Sequence, residues 1–228
     1  TPRMVWGVED IVMCPGKEDM FNFLEDIVRE IVPLFPGKYF HIGGDECPKT
    51  SWKHCPTCQK RIQDEGLQAD GKHSAEERLQ SYVIKRMEKM LAKYDRKIIG
   101  WDEILEGGLS PDATVMSWRG TSGGISAALQ KHDVIMTPGS GGLYLDHYQG
   151  DYKIEPVTIP SAPAYLSKTY NYEPVPDTIK SLGLEKHILG VQCNNWSEYM
   201  YTNAKMEYQM YPRSLALAEI AWSPAKKK

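Results

Sequence analysis

The run Lys38-Tyr39-Phe40-His41-Ile42-Gly43-Gly44-Asp45-Glu46 is apolar and aromatic at its centre and closes on two glycines and two adjacent acids. Its first six residues read as a β-strand, and the glycines as a backbone that turns tightly where the strand ends. The two carboxylates follow at once. Adjacent carboxylates repel, so one of them tends to hold a proton near neutral pH, as a general acid requires. Taken alone, residues 41–46 also describe a strand-end turn whose Asp caps a helix.

Four further apolar runs follow, at 97–101, 114–118, 133–137 and 188–192, each ending in polar or aromatic residues. Amphipathic stretches separate them: 19–32 with Phe23, Ile27 and Ile31 four apart, 74–94 with Leu79, Val83, Met87 and Leu91, then 123–131 and 205–221. Ser74 with Glu77 makes a capping box for the second of these. Short strands alternating with longer helices mark an α/β protein with a parallel sheet. Two connections, 47–73 and 139–178, are rich in Gly, Pro, Tyr and polar residues. At that length they read as functional loops, with 156–176 a surface excursion.

The residues able to do chemistry gather at the C-terminal ends of the strands: His41 to Glu46, Trp101-Asp102-Glu103, Trp118-Arg119 and Asn194-Asn195-Trp196-Ser197-Glu198. Loops after the strands build the active site in parallel α/β folds. Acids beside tryptophans suit a sugar, since indole faces stack on the C–H faces of pyranose rings and carboxylates grip hydroxyls. Plainer readings stand beside this one. Trp101 and Trp118 also fit as core aromatics, Tyr144 as a loop tyrosine, and His41, inside its strand, as a structural hydrogen-bonding group.

With 228 residues, 41% of them hydrophobic, the chain can bury a sizeable core, and length alone suggests one domain or two small ones. A net charge of −3 at pH 7 excludes the basic field of a nucleic-acid binder, and Lys226-Lys227-Lys228 is only a short tail. No apolar stretch reaches the roughly 18 residues that span a bilayer. The chain opens Thr1-Pro2-Arg3 without an initiator Met, which reads as a processed product. Export to the periplasm or outside the cell, with the signal upstream, is the expectation. Of the five cysteines, Cys47, Cys55 and Cys58 cluster near His54, and Cys55-Pro56-Thr57-Cys58 has the CxxC spacing of a zinc knuckle or redox pair. No second CxxC accompanies it, so a plain pair of thiols or a local disulfide competes with zinc.

His41-Ile42-Gly43-Gly44-Asp45-Glu46 resembles the signature of family 20 glycoside hydrolases, the β-N-acetylhexosaminidases, with its nearest likeness to bacterial members. Gly100-Trp101-Asp102-Glu103, Ser117-Trp118-Arg119-Gly120, Tyr144-Leu145-Asp146 and Asn195-Trp196-Ser197-Glu198 match in the order the family implies, over about residues 38 to 222. The resemblance implies a (β/α)8 TIM barrel, no metal and no cofactor, and a glycan or chitin-type oligosaccharide as substrate. It implies a retaining mechanism with the substrate's 2-acetamido group as nucleophile. Glu46 would be the general acid and base, Asp45 would orient the acetamido N–H, and Tyr144 would donate to the acetamido oxygen. Trp101, Trp118 and Trp196 would wall the sugar pocket, with Asp146 and Glu198 on outer hydroxyls. Asp102 reads as a supporting residue and Glu103 as a further substrate contact.

The departure is in strand count. The family barrel has eight strands with the acid pair after the fourth, whereas this chain offers five, and an arginine of the family's first strand is missing. Residues 1–228 are therefore expected to be one partial catalytic domain, strands four to eight, without a second domain. An open edge would expose Phe40, Ile42, Val115, Ile135 and Val191 to water. A companion N-terminal segment or a homo-oligomer is expected to cover it. Two rival functions remain: a non-catalytic sugar-binding remnant, and a metal-dependent hydrolase using His41, Asp45 and Glu46, which lacks a helical i, i+4 ligand pair.

Overall fold

Tyr39–His41 is extended and half-open to solvent, while Ile98 and Ile99 in the next strand are buried; their pairing organises the first part of the chain. The computed structural model describes Met4 and residues 7–224, and both Thr1-Pro2-Arg3 and the lysines 226–228 lie outside those residues. Two compact units divide the chain, Thr1–Thr114 and Val115–Lys228.

In the first unit α1 (Glu18–Ile31) leads to β1 (Tyr39–His41). Then come α2 (Thr50–His54), α3 (Pro56–Asp64), α4 (Ala75–Ala92) and β2 (Lys97–Trp101). β1 and β2 are parallel, with Tyr39 opposite Lys97 and His41 opposite Ile99, the βαβ arrangement that the strand–helix alternation predicts. Leu79, Ile84, Met87 and Leu91 line the buried face of α4. The capping box is present: Ser74 Oγ accepts from Glu77 N–H at 3.2 Å, and the Glu77 carboxylate accepts from Ser74 N–H at 2.6 Å.

The second unit begins in β3 (Thr114–Ser117) and continues through α5 (Ser122–Leu129) and β4 (Val134–Met136). After α6 (Leu166–Tyr170) and α7 (Asp177–Ser181) come β5 (Ile188–Val191), α8 (Asn203–Met210) and α9 (Arg213–Trp222). β3 pairs in parallel with β4, and β4 with β5 through a register shift at Val134/Ile135. All five strands anticipated from the sequence are present among the described residues.

Four details correct the sequence reading. The stretch 205–221 is two helices, because Pro212 brings no N–H and restrains Tyr211 before it. The connection 47–73 is not a bare loop but carries α2 and α3, which close over a small core of Trp52, Cys58, Ile62 and Leu79. In α1 the buried residues are Met20, Phe21 and Val28, while Phe23 (55% exposed) and Ile27 (41% exposed) form a second apolar face turned to solvent. Val115, counted above among residues meeting water, is fully buried along with the rest of β3, whereas Phe40, Ile42, Ile135 and Val191 are half-buried.

Ser74→Ala removes the acceptor for a first-turn N–H of α4 and is expected to cost about 1 kcal/mol, lowering Tm by roughly 2–4 °C for a unit of this size. Thermal melts of the full-length protein check this. An unchanged Tm would show that packing alone fixes the start of α4.

Candidate active site

The backbone at the end of β1 is left-handed at three of four residues: Gly43 (φ 71°), Gly44 (φ 91°) and Glu46 (φ 44°). Glycine suits the first two sites because it has no Cβ to clash. Gly44 has a second reason: a Cβ there would stand 2.6 Å from Ile104 Cγ2. Ile104 also fills the space a side chain at Gly100 would need, again at 2.6 Å. The parallel ladder runs on past the strands, with Ile42 N–H donating to Ile99 O and Trp101 N–H to Gly43 O, both at 2.9 Å. These bonds bring the β1 turn and the end of β2 together. Asp45 is half-buried and Glu46 exposed, and both border a cavity of about 330 Å³ whose other walls include Val12, Met20, Ile84 and Met87.

His41 packs on Trp101, ring centroids 4.8 Å apart, and its Nδ1 accepts from Gly43 N–H at 3.0 Å. Desolvation lowers the His41 pKa, against the opposing pull of the Asp45 charge. The imidazole therefore braces the turn as a neutral acceptor, the structural role read from its place in the strand. From behind, the buried Gln80 donates to Glu103 O at 3.0 Å and to Gly44 O at 3.3 Å, and Lys49 donates to Gln80. Asp102 and Glu103 are buried in the turn that follows β2. Gln80 had no distinguishing signal in the sequence, since a polar residue within an amphipathic helix reads as solvent-facing.

In the second unit Trp118 and Tyr144 stack, with centroids 6.4 Å apart and planes 12° from parallel. Leu145 N–H donates to Asn194 O at 2.7 Å and Asn194 N–H to Leu143 O at 2.8 Å, which docks the Tyr144 segment on the chain beyond β5. Asp146, Trp196 and Glu198 meet there. Asp146 is 1% exposed, and neither carboxylate oxygen has a hydrogen-bond partner. Burial pushes its pKa up to about 6; the Glu198 charge adds to the rise, and the backbone N–H groups of Asp146 and Trp196 and the charge of Arg213 oppose it. Those N–H groups face the carboxylate without reaching hydrogen-bond geometry. Trp196 and Glu198 are exposed beside it, and Trp118 and Tyr144 half-buried.

Arg213, wholly buried at the start of α9, holds this segment in place. Its guanidinium donates to Leu145 O, to His147 O at 3.2 Å, to Ala164 O at 3.0 Å and to Gln209 O at 2.6 Å. Burial lowers its pKa to about 10, which leaves it charged at neutral pH. Gln209 donates to Asp146 O at 3.1 Å, and Thr158 also donates to that oxygen. Of the residues singled out in the sequence, Asp45, Glu46 and Trp101 belong to the first unit and Trp118, Tyr144, Asp146, Trp196 and Glu198 to the second.

Parallel strands alternating with helices, with chemically active residues after the C-terminal strand ends, are the arrangement of the (β/α) barrel class. The chain belongs to glycosyl hydrolase family 20, whose catalytic-domain model matches residues 1–225. It is 58% identical to a β-hexosaminidase of Porphyromonas gingivalis over all of this chain and 28% of that protein. It is 33% identical to a β-hexosaminidase of Vibrio furnissii over 95% of this chain and 34% of that protein. The Vibrio harveyi family 20 exo-β-N-acetylglucosaminidase, solved with N-acetylglucosamine, superposes with a TM-score of 0.85 at 30% identity, covering 95% of this chain and 33% of that one. A Flavobacterium johnsoniae chitobiase superposes at 0.77 with 28% identity, over 96% of this chain and 31% of that one. The chain is thus a partial (β/α) TIM barrel and spans about a third or less of the length of these relatives.

A carboxyl whose pKa is raised on folding destabilises the fold in its charged form, above about pH 6, and that cost is relieved as pH falls through 6 towards 3.8. Asp146→Asn in the full-length protein is therefore expected to raise Tm by a few degrees at about pH 7.5 and to leave it near wild type at about pH 4. A lower Tm at the higher pH would mean that the charge is held favourably.

Proposed function

We propose that this chain carries the catalytic and sugar-binding residues of a β-N-acetylhexosaminidase, an exo-acting enzyme that removes terminal non-reducing β-linked N-acetylglucosamine or N-acetylgalactosamine. The observation that carries the reading is the location of the chemistry: Trp101 ends β2, and Asp45-Glu46, Trp118, Tyr144-Asp146 and Trp196-Glu198 come after the C-terminal ends of β1, β3, β4 and β5. The relatives, β-hexosaminidases, support the hexosaminide bond as the target, and the Vibrio harveyi neighbour, an exo-β-N-acetylglucosaminidase, supports exo action.

In the mechanism, Glu46 as the neutral acid protonates the glycosidic oxygen while the substrate's acetamido oxygen attacks C1, so the leaving sugar departs with the bond electrons. The Asp45 carboxylate accepts the acetamido N–H, orienting the group and offsetting the positive charge that develops on it. The Tyr144 hydroxyl donates to the acetamido oxygen. Glu46, now a carboxylate, takes a proton from water as it attacks C1 from the face the leaving group vacated, and the β configuration is retained. A neutral sugar hydroxyl suits Asp146: its two buried oxygens lack partners, and each accepted O–H lowers the cost of keeping the charge buried.

We also propose that residues 1–228 supply strands four to eight of the barrel as one domain. Among the described residues β1 pairs only with β2 and β5 only with β4, and α1 keeps its Phe23–Ile27 face uncovered. A companion N-terminal segment or a second copy would cover these edges, and the substrate would be a glycan or chitin-type oligosaccharide.

Glu46→Gln in the full-length protein is expected to abolish turnover of substrates with poor leaving groups and largely to spare an activated aryl glycoside, whose leaving group needs little protonation. Equal losses on both would remove Glu46 as general acid. Asp45→Asn and Tyr144→Phe should each lower kcat about 10²–10³-fold, and a 2-hydroxy substrate lacking the acetamido group should not turn over. Sugar binding without turnover of any substrate by the wild-type protein would instead favour the non-catalytic reading.

A further inference from the structure

The first unit also holds a cluster of thiols that the proposed chemistry does not use. Cys14, on the segment before α1, meets Cys55 and Cys58 at the start of α3, with Cys14 Sγ 3.6 Å from Cys55 Sγ and 3.4 Å from Cys58 Sγ. All three sulfurs lie within 4.8 Å of one another, and none is in a disulfide. The sequence shows only the CxxC half of this group; its third member comes from 41 residues upstream of Cys55. Cys47, grouped with the pair by sequence, is not one of the three.

We propose that Cys14, Cys55 and Cys58 form a three-thiolate site for one zinc ion, which fastens the segment before α1 to the α2–α3 excursion. Sulfurs around a tetrahedral zinc, each about 2.3 Å from the metal, stand about 3.8 Å apart, close to the distances found. A disulfide would need one pair to close to about 2.05 Å and would leave the third sulfur out. The backbone is built for the approach: a Cβ on Gly16 would lie 2.3 Å from Thr57 C and 2.6 Å from Cys58 N, so only glycine lets the two segments meet. The backbone N–H groups of Cys58 and Gly16 lie beside Cys55 Sγ and Cys58 Sγ, and the cluster sits at the N-terminus of the nine-residue α3; all three favour thiolates. The Thr57 hydroxyl lies 3.2 Å from Cys14 Sγ and 3.1 Å from Cys55 Sγ on the exposed side, where water can take the fourth corner.

Zinc is bound by thiolates and not by thiols, so binding releases protons and its affinity should rise with pH.

The test uses the full-length protein, reduced and freed of metal, titrated with zinc against a chromophoric chelator and separately with cobalt(II), whose thiolate charge-transfer absorption reports sulfur ligands. One ion per chain is expected, with release of protons, and Cys14→Ser and Cys55→Ser should each weaken binding by at least about 10–100-fold. Cys47→Ser should leave binding unchanged. Should Cys14→Ser not fold, Cys55→Ser, at the exposed side of the cluster, gives the reading. Zinc-independent behaviour of the wild type, unchanged affinity in both cluster variants, or a Cys14 disulfide in protein kept from oxidants would overturn the site.

Discussion

One isoleucine side chain governs the region of the acid pair. Ile104 occupies the volume that side chains at Gly44 and Gly100 would need, so the turn after β1 and the end of β2 both close down on it. Deleting its buried methyl groups would leave a cavity under both, and cavities in cores cost a few kcal/mol. The polar groups above are then fixed by short-range bonds: Gly43 O to Trp101 N–H, Gly43 N–H to His41, Gly44 O to Gln80. The left-handed Glu46 is sustained by this surrounding network, since a non-glycine residue at positive φ is held only where neighbours over-determine it.

The second unit solves the same problem with a cation. Around Tyr144 and Asp146 the chain is irregular, and irregular buried backbone exposes carbonyl oxygens that no ladder satisfies. Arg213 supplies donors to two of them, Leu145 O and His147 O, and also to Ala164 O and to Gln209 O in α8. A buried guanidinium without a carboxylate in contact is costly, and its lowered pKa reports that cost. The compensation is positional: the charge that Arg213 keeps in the interior draws down the pKa of Asp146, which burial raises. With a pKa of about 6, Asp146 is mostly ionised at neutral pH; the backbone N–H groups of Asp146 and Trp196 and, more weakly, the Arg213 charge offset part of the rise that burial causes.

Strand positions were legible because each is a brief apolar run bounded by breakers, and a run too short for a helix has few other uses. The acid pair, Trp101 and Trp118 stood out because they end or directly follow those runs, whereas Tyr144 and Asp146 lie further along and were singled out only through the resemblance. What escaped depends on tertiary contact. The choice between the Phe21–Val28 and Phe23–Ile27 faces of α1 cannot be made from periodicity when both are apolar. Arg213 and Gln80 sit in helical patterns where charged and polar residues ordinarily face water, and only the folded chain reveals the carbonyls they serve. Cys14 is separated from its partners by the whole of α1, β1 and α2, so spacing carried no trace of it. Pro212, by contrast, was a readable interruption that the apolar pattern on both sides outweighed.

The α2–α3 excursion leaves directly from Glu46, and this adjacency gives its stability a bearing on the acid pair. α2 has five residues and α3 nine, lengths at which a helix does not hold itself together in water. Their tertiary support is a small core of Trp52, Cys58, Ile62 and Leu79, with Cys14 and Cys55 packed against it. Trp52 adds one directed bond, from Nε1 to Met13 O at 2.9 Å, which ties α2 to the same segment that carries Cys14. Met13 and Trp52 also line the cavity bordered by Asp45 and Glu46. Motion of the excursion would therefore reshape that cavity from two walls at once. Whatever fastens Cys14 to Cys55 and Cys58 limits that motion, so that a structural contact remote in sequence bears on how firmly the carboxylates are presented.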